Sequence, residues 1–385
     1  MVTVSAEETA LGGGVVRRRG GWRPTRRVLA TVATLVLAAG FTYLAVSGVH
    51  WGAAWRAVEN CQAWWLVPAM GAFVAQTLMR AMRWRSLFSH SRRPGRVPII
   101  EATLVGYLFN SIMPARAGEV ARVASLTRNS ATPPDEIVGT VVVERAYDVF
   151  VVLLIFFCSA PWLPQVSWLE PAAILAAIAA VALAAVVAVL AIYGERPLQW
   201  AARPLARLPR LSAERIEHHV ALLARGLSGL REHRVALEAL VWSLAAWMTS
   251  ALWAWLVLRA FHHLPFSAGV LVTVVIGLSM IIPSPPAAIG VFEAAGVLAL
   301  KAYGISQTGA LPYALVLHIS NFVPLVIAGA VALHFTTRRG GLGLKSATYT
   351  SAVPAAREHA RARDGHLWRQ LRHGRQTADR AAEDG

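Results

Sequence analysis

Cysteine is almost absent: Cys61 and Cys158 are the only two in 385 residues. That excludes a scaffold built on disulfides, and no Cys/His set has the spacing of a zinc site. One disulfide is permitted, since both cysteines fall near the outer ends of the apolar spans predicted below, but nothing demands it. Charge is scarce as well, at 15% of residues against roughly 25% in soluble domains. No Walker-type phosphate loop is present, so ATP is not expected to drive any step, and neither a metal nor a cofactor is expected. Acidic residues number 21 against 37 Lys and Arg. An excess of that size could suit nucleic acid, but no RNA- or DNA-binding motif accompanies it.

Apolar side chains fill the space that charge leaves. They make up 56% of the chain, with 14 tryptophans, and several runs reach the ~20 residues that cross ~30 Å of hydrocarbon. The expected fold class is therefore an all-α polytopic membrane protein. Six spans are predicted at Val28–Gly48, Gln62–Met79, Ile137–Cys158, Trp168–Tyr193, Ala236–Arg259 and Ala310–His334. The N-terminal run is too long and lacks the cleavage site of a signal peptide, so it is expected to remain as the first helix.

The basic residues orient these spans. They gather in the N-terminal segment, between Arg80 and Arg96, at Arg116, Arg122 and Arg128, between Arg196 and Arg234, and in the tail after His334. With both termini cytoplasmic, all but Arg56, Arg145, Arg259 and Lys301 lie inside, which satisfies the positive-inside rule in a bacterial cytoplasmic membrane. The arrangement works only if the apolar stretches near 97–127 and 267–300 return to the side they entered, as re-entrant hairpins. The predicted organisation is a basic N-terminal segment (1–27), a membrane domain (28–335) and a basic tail (336–385). The membrane domain has repeat cores at about 97–158 and 267–334 and a cytoplasmic amphipathic segment at 195–234. The basic segments suit an anionic membrane surface, at ~1 kcal/mol per residue.

The two hairpins share a pattern. "FNSIMPARAGEVARVASLTR" (Phe109–Arg128) has an apolar arm, a break at Pro114, then Gly118 and Glu119. "IGLSMIIPSPPAAIGVFEAAG" has Pro283, Pro285 and Pro286, then Gly290 and Glu293. Each precedes a span with polar residues inside it: Glu144, Arg145 and Asp148 in one, His318 and Asn321 in the other. Three spans separate the hairpins, an odd number, so they enter from opposite sides as in an inverted repeat. Proline frees backbone groups that lipid cannot satisfy, so both tips are expected to line a protein cavity. Glu144 and Asp148 share a helical face at i,i+4, and Arg145 can reach Asp148 at i,i+3. Either a satisfied internal ion pair or a polar pathway for a charged head group or proton fits this set. Arg116, Arg122 and the Arg80–Arg83–Arg85 set at the inner end of the second span suit phosphate, with helix amides near Gly118 aimed at the same anion. For Arg80, Arg83 and Arg85, anchoring at the interface is the simpler reading.

At these residues the sequence resembles a known family. "N-x3-P-A-R-A-G-E-x2-R" from Asn110, then "E-R-x2-D" from Glu144, then "P-x-P-x4-G-x2-E" from Pro283 are similar to the flippase-like membrane domain of lysylphosphatidylglycerol synthases, the multiple peptide resistance factors, and to its stand-alone relatives. In the synthases that domain moves a modified phospholipid between leaflets, while a separate soluble domain transfers the aminoacyl group. The resemblance implies roles here for Asn110, Arg116, Glu119, Arg122, Glu144, Arg145, Asp148 and Glu293. It also marks two departures. A polar tail of about 50 residues is not expected to build the soluble domain, and Ala287 and Ala288 stand where the second hairpin usually carries glycines.

The expected function is therefore translocation of an anionic phospholipid or a polyprenyl-phosphate-linked glycan, with Glu144, Asp148 or His318 placed to carry a compensating proton. Two alternatives remain open. One is a membrane-embedded enzyme acting on a lipid phosphate, though no "PGxSRS"-type loop is present. The other is a scaffold or non-catalytic partner subunit of an envelope glycosyltransferase, the expected protein partners being such an envelope-biosynthesis enzyme or a second copy of the chain in a homo-oligomer.

Overall fold

A computed structural model describes residues 40, 43, 49–89, 93–113, 117–130, 132–178, 181–182, 233–280 and 286–343. The first predicted span apart from Gly40 and Tyr43, the later part of the fourth apart from residues 181–182, the segment 195–232 and the tail beyond 343 lie outside the described residues. So do Pro114, Arg116, Pro283 and Pro285. The chain divides into two compact units, Met1–Ala330 and Val331–Gly385. The second is described only at 331–343, which is helical.

Among the described residues all regular structure is helical. A short helix, α1 (Trp51–Glu59), leads into α2 (Leu66–Ser86). Then come α3 (Arg96–Ile112), α4 (Gly118–Asn129), the 26-residue α5 (Pro134–Ser159) and α6 (Leu169–Ile178). The second half holds α7 (His233–Phe261), α8 (Phe266–Ser279), α9 (Val291–Lys301) and α10 (Gln307–Gly343). Two of these helices, α7 and α10, are both long and apolar enough to cross a membrane by composition. α5 has the length, ~39 Å at 1.5 Å per residue, but carries Glu144, Arg145 and Asp148 within it.

Local chemistry sets the breaks. Met113 precedes a proline and is extended (φ −105°, ψ 144°), so α3 ends at Ile112. α5 opens on Pro134, where the missing N–H would have had no partner. α9 starts after Gly290, whose φ of 83° is left-handed. The Glu293 carboxylate accepts the Gly290 N–H at 2.7 Å, which caps that helix start.

α3 and α4 pack as one helical hairpin, α8 and α9 as another. In the first, a Cβ at Gly118 would lie 2.0 Å from the Gly106 carbonyl oxygen, so the arms touch backbone to backbone. In the second, a Cβ at Gly277 would meet the Trp247 ring at 2.8 Å. Gly329 of α10 rests in the same bare fashion on α3, with the Leu104 carbonyl 2.6 Å from where its Cβ would be.

Chain connections place the two hairpins at opposite ends of the bundle. At one end, the Gln62 amide donates to the Ala260 carbonyl at 2.9 Å, the Tyr303 hydroxyl bonds Ser267 at 2.9 Å, and His262 meets the Gly309 carbonyl at 3.1 Å. The α8–α9 hairpin opens here, beside Arg259 and Lys301. At the other end, Arg93 pairs with Glu238 at 2.6 Å and Arg85 donates to the Pro94 carbonyl at 2.9 Å. The α3–α4 hairpin opens there, between Arg96 and Arg128. The breaks approach each other in the interior, where α3 packs on residues 286–288.

Apolar side chains face outward as well as into the core, and a few charges are buried. Val67, Val142, Leu237, Val241, Ile319 and Ile327 are exposed, while Arg83, Glu144 and Asp148 are buried. Such a surface suits lipid, and the buried charges require partners. Cys61 and Cys158 are free thiols.

Candidate functional site

Arg83 is the centre of the buried charge. It sits on α2 with 1% of its surface exposed. One Nη hydrogen-bonds Asp148, and the other meets Glu144 Oε1 at 2.5 Å. Those carboxylates face it because their i,i+4 spacing puts both on one side of α5. Removing a guanidinium from water costs several kcal/mol, which two carboxylates at bonding distance offset.

A second arginine completes the sharing. Arg122 of α4 meets the other oxygen of Glu144 at 2.7 Å and Glu119 at 2.8 Å. These are ion pairs without hydrogen-bond alignment, since neither Arg122 Nη2 nor the two facing oxygens has an aligned partner. The Arg122 guanidinium also lies over the Trp84 ring at 4.6 Å, a contact only a planar cation makes well. Arg145 bridges Glu119 at 3.1 Å and Asp148 at 3.3 Å, with 46% of its side chain exposed. The network thereby ties the first hairpin to α2 and α5.

The hairpin break is closed locally too. Asn110, near the end of α3, accepts the Gly118 amide at 2.9 Å. That amide, which the sequence suggests could face an anion, is thus occupied by a side chain of the opposite arm.

In the second half, His318 of α10 makes two polar contacts. Its Nδ1 lies 2.6 Å from Glu293 Oε1 and its Nε2 lies 2.9 Å from the Ala287 carbonyl. A carbonyl only accepts, so Nε2 carries a proton, and a second proton lies between Nδ1 and the carboxylate. The ring stacks on Phe292 with centroids 4.5 Å apart. Ala287 and Ala288 both have φ near 58°, at a cost of about 1–2 kcal/mol each for an L-residue with a Cβ. His318 holds that unfavourable turn by its carbonyl.

Both halves line one cavity of about 570 Å³. Asn110, Glu119, Glu144, Arg145 and Asp148 face it from the first half, and His318 and Asn321 from the second, with Ala287 and Ala288 between. Arg122 and Glu293 stand behind its wall. Of the hairpin-tip residues within the described chain, Gly118, Pro286 and Gly290 flank the breaks without lining it. Sequence reasoning passed over Trp247, Gln76 and Ser250, and read Arg83 as an interfacial anchor where the structure buries it against Glu144 and Asp148. Trp247 donates its Nε1–H to Asp148 at 3.0 Å, and Ser250 hydrogen-bonds the buried Gln76. The available signal was polarity: Gln76, Arg80 and Arg83 are spaced by four and three along one face of an apolar helix.

The family model for the lysylphosphatidylglycerol synthase transmembrane region matches residues 31–329. The chain belongs to this family. Its match contains both hairpins, the buried ion pairs and the cavity. Family membership and the apolar helices make this a membrane protein associated with lipid biosynthesis or transport. Among curated proteins none matches the chain in sequence.

Proposed function

We propose that the protein is a translocase that moves an anionic phospholipid or a polyprenyl-phosphate-linked glycan between the leaflets of a bacterial cytoplasmic membrane. The observation that carries this reading is the shared cavity, walled by both hairpin breaks and by charged side chains inside an apolar bundle. Arg80 and Arg145 line it with Glu119, Glu144 and Asp148, while Arg83 and Arg122 behind the wall pair with those carboxylates. That leaves Arg80 on the wall with no carboxylate in salt-bridge contact among the described residues, which suits a phosphate head group.

In this reading the six spans and two re-entrant hairpins form an inverted repeat. The basic end, with Arg85, Arg93, Arg96 and Arg128, is cytoplasmic, as are both termini. Arms of 12 and 11 residues in α4 and α9 rise only ~17 Å, about half the hydrocarbon thickness, which supports re-entry. The head group enters the cavity while the acyl chains stay in lipid. Each hairpin gates one side, because each break is held by side-chain contacts rather than by a continuous helix.

The test is leaflet exchange of head-group-labelled phosphatidylglycerol and polyprenyl phosphate in liposomes carrying the purified chain. Glu144→Gln removes the charge shared by Arg83 and Arg122, and exchange is expected to drop tenfold or more. Exchange by Glu144→Gln at the parental rate would sink the proposal.

A further inference from the structure

The cavity arginines differ in how far they are committed. Arg83 is buried and bonded to two carboxylates. Arg122 is paired twice and lies behind the cavity wall. Arg145 faces the cavity but spans Glu119 and Asp148. Arg80, one turn before Arg83 on α2, lines the cavity and makes no salt bridge among the described residues. Its Nη2 donates to Ser250 Oγ at 3.1 Å, and its guanidinium lies over the Trp247 ring at 4.7 Å. These contacts orient the cation without neutralising it. Of its five N–H donors, those on Nε and Nη1 have no protein partner there.

The orienting groups are themselves fixed. Trp247 is locked by its bond to Asp148 at 3.0 Å, and Ser250 by Gln76 and by the Ala246 carbonyl at 2.8 Å. Because Ser250 gives its single proton to one of those oxygens, its lone pair is presented to Arg80. A half-buried guanidinium placed over an indole, lining a cavity and keeping the second N–H of Nη2 beside free N–H groups on Nε and Nη1, has a fork available for bidentate binding of a phosphate. Across the same cavity, the Tyr107 hydroxyl and the Asn321 amide have no hydrogen-bond partner among the described residues.

We infer that Arg80 is the anion-binding residue of the cavity, gripping the phosphate of the ligand, while Arg83, Arg122 and Arg145 are structural cations spent on carboxylates. The inference rests on the translocase reading for the identity of the lipid but is measured by binding, not transport. Of the arginines that the sequence offers for phosphate, it selects Arg80 on α2 over Arg83 and Arg122.

The experiment uses the full chain purified in a neutral detergent, titrated calorimetrically with short-chain phosphatidylglycerol and, separately, with inorganic phosphate. Arg80→Gln is expected to weaken phosphatidylglycerol binding about 10- to 100-fold, the size of a lost charge-assisted bidentate contact. Arg80→Lys, which keeps charge but not the fork, is expected to recover part of that loss, and Ser250→Ala to weaken binding a few-fold. Melting without lipid serves as the folding control, and Ser250→Ala carries the test if Arg80→Gln does not fold. Inorganic phosphate bound with the same Arg80 dependence assigns the contact to the phosphate group alone. Binding of phosphatidylglycerol alone assigns it to the phosphate within its lipid. Parental affinity in both Arg80→Gln and Ser250→Ala overturns the inference. Arg80-dependent binding without leaflet exchange in the parent would sink the translocase reading and leave this site standing.

Discussion

The two hairpins meet at one cavity but are secured by different chemistry. The first is held from outside: Arg122 and Glu119 on α4 join a charge network with Arg83 on α2 and Glu144, Arg145 and Asp148 on α5. The second is placed by apolar packing, α8 against α5 and α7 and α9 against α10, and its buried polar pair, His318 with Glu293 and the Ala287 carbonyl, holds the tip. A charge network fixes a hairpin through a few directional contacts that one substitution can break. Apolar packing spreads the same task over many side chains, so the first hairpin is the one that depends on single residues.

The largest expected effect tests the network. Arg83→Ala leaves Glu144 and Asp148 buried with their central cation gone, and breaking a buried pair this way costs about 3–5 kcal/mol. The melting temperature in detergent should fall by several degrees at least, and more than for any single substitution at His318. If Arg83→Ala melts like the parent, the contrast between the hairpins collapses.

The next two effects concern a methyl group at each tip and have opposite signs. Gly118→Ala drives a Cβ to 2.0 Å from the Gly106 carbonyl, and overpacking against backbone costs about 3 kcal/mol. Ala287→Gly removes a left-handed residue with a Cβ, for a gain of about 0.5–1 kcal/mol after the added freedom of the unfolded chain is counted. Thermal melting of both variants checks the pair. Destabilisation by Ala287→Gly would show that the second tip is not strained.

Much of this was legible in the chain. Glu144, Arg145 and Asp148 announce themselves because three charges inside an apolar run need partners, and helical spacing shows which can face one another. The break before Gly118 follows from Pro114 acting on Met113. Arg83 was not legible: Arg80, Arg83 and Arg85 end an apolar run, where arginines ordinarily reach for head groups. Helix packing sends them to three destinations, a cavity, a carboxylate pair and the Pro94 carbonyl, and no local pattern encodes that choice. Trp247 was hidden for a similar reason, since a tryptophan in an apolar helix is unremarkable until its N–H finds Asp148. The Glu293–His318 contact joins residues 25 positions apart, too far for helical periodicity to pair them.

Gly329 touches α3 without a side chain, against the Leu104 carbonyl, and Gly118 does the same across the first hairpin against Gly106. Interlocked side chains act as teeth: one helix can pass another only by changing rotamers or jumping a whole turn. Gly329 supplies no tooth of its own, so α10 lies close enough to α3 that any larger residue there would have to push the Leu104 carbonyl and the Leu108 Cβ away, both 2.6 Å from its Cβ position.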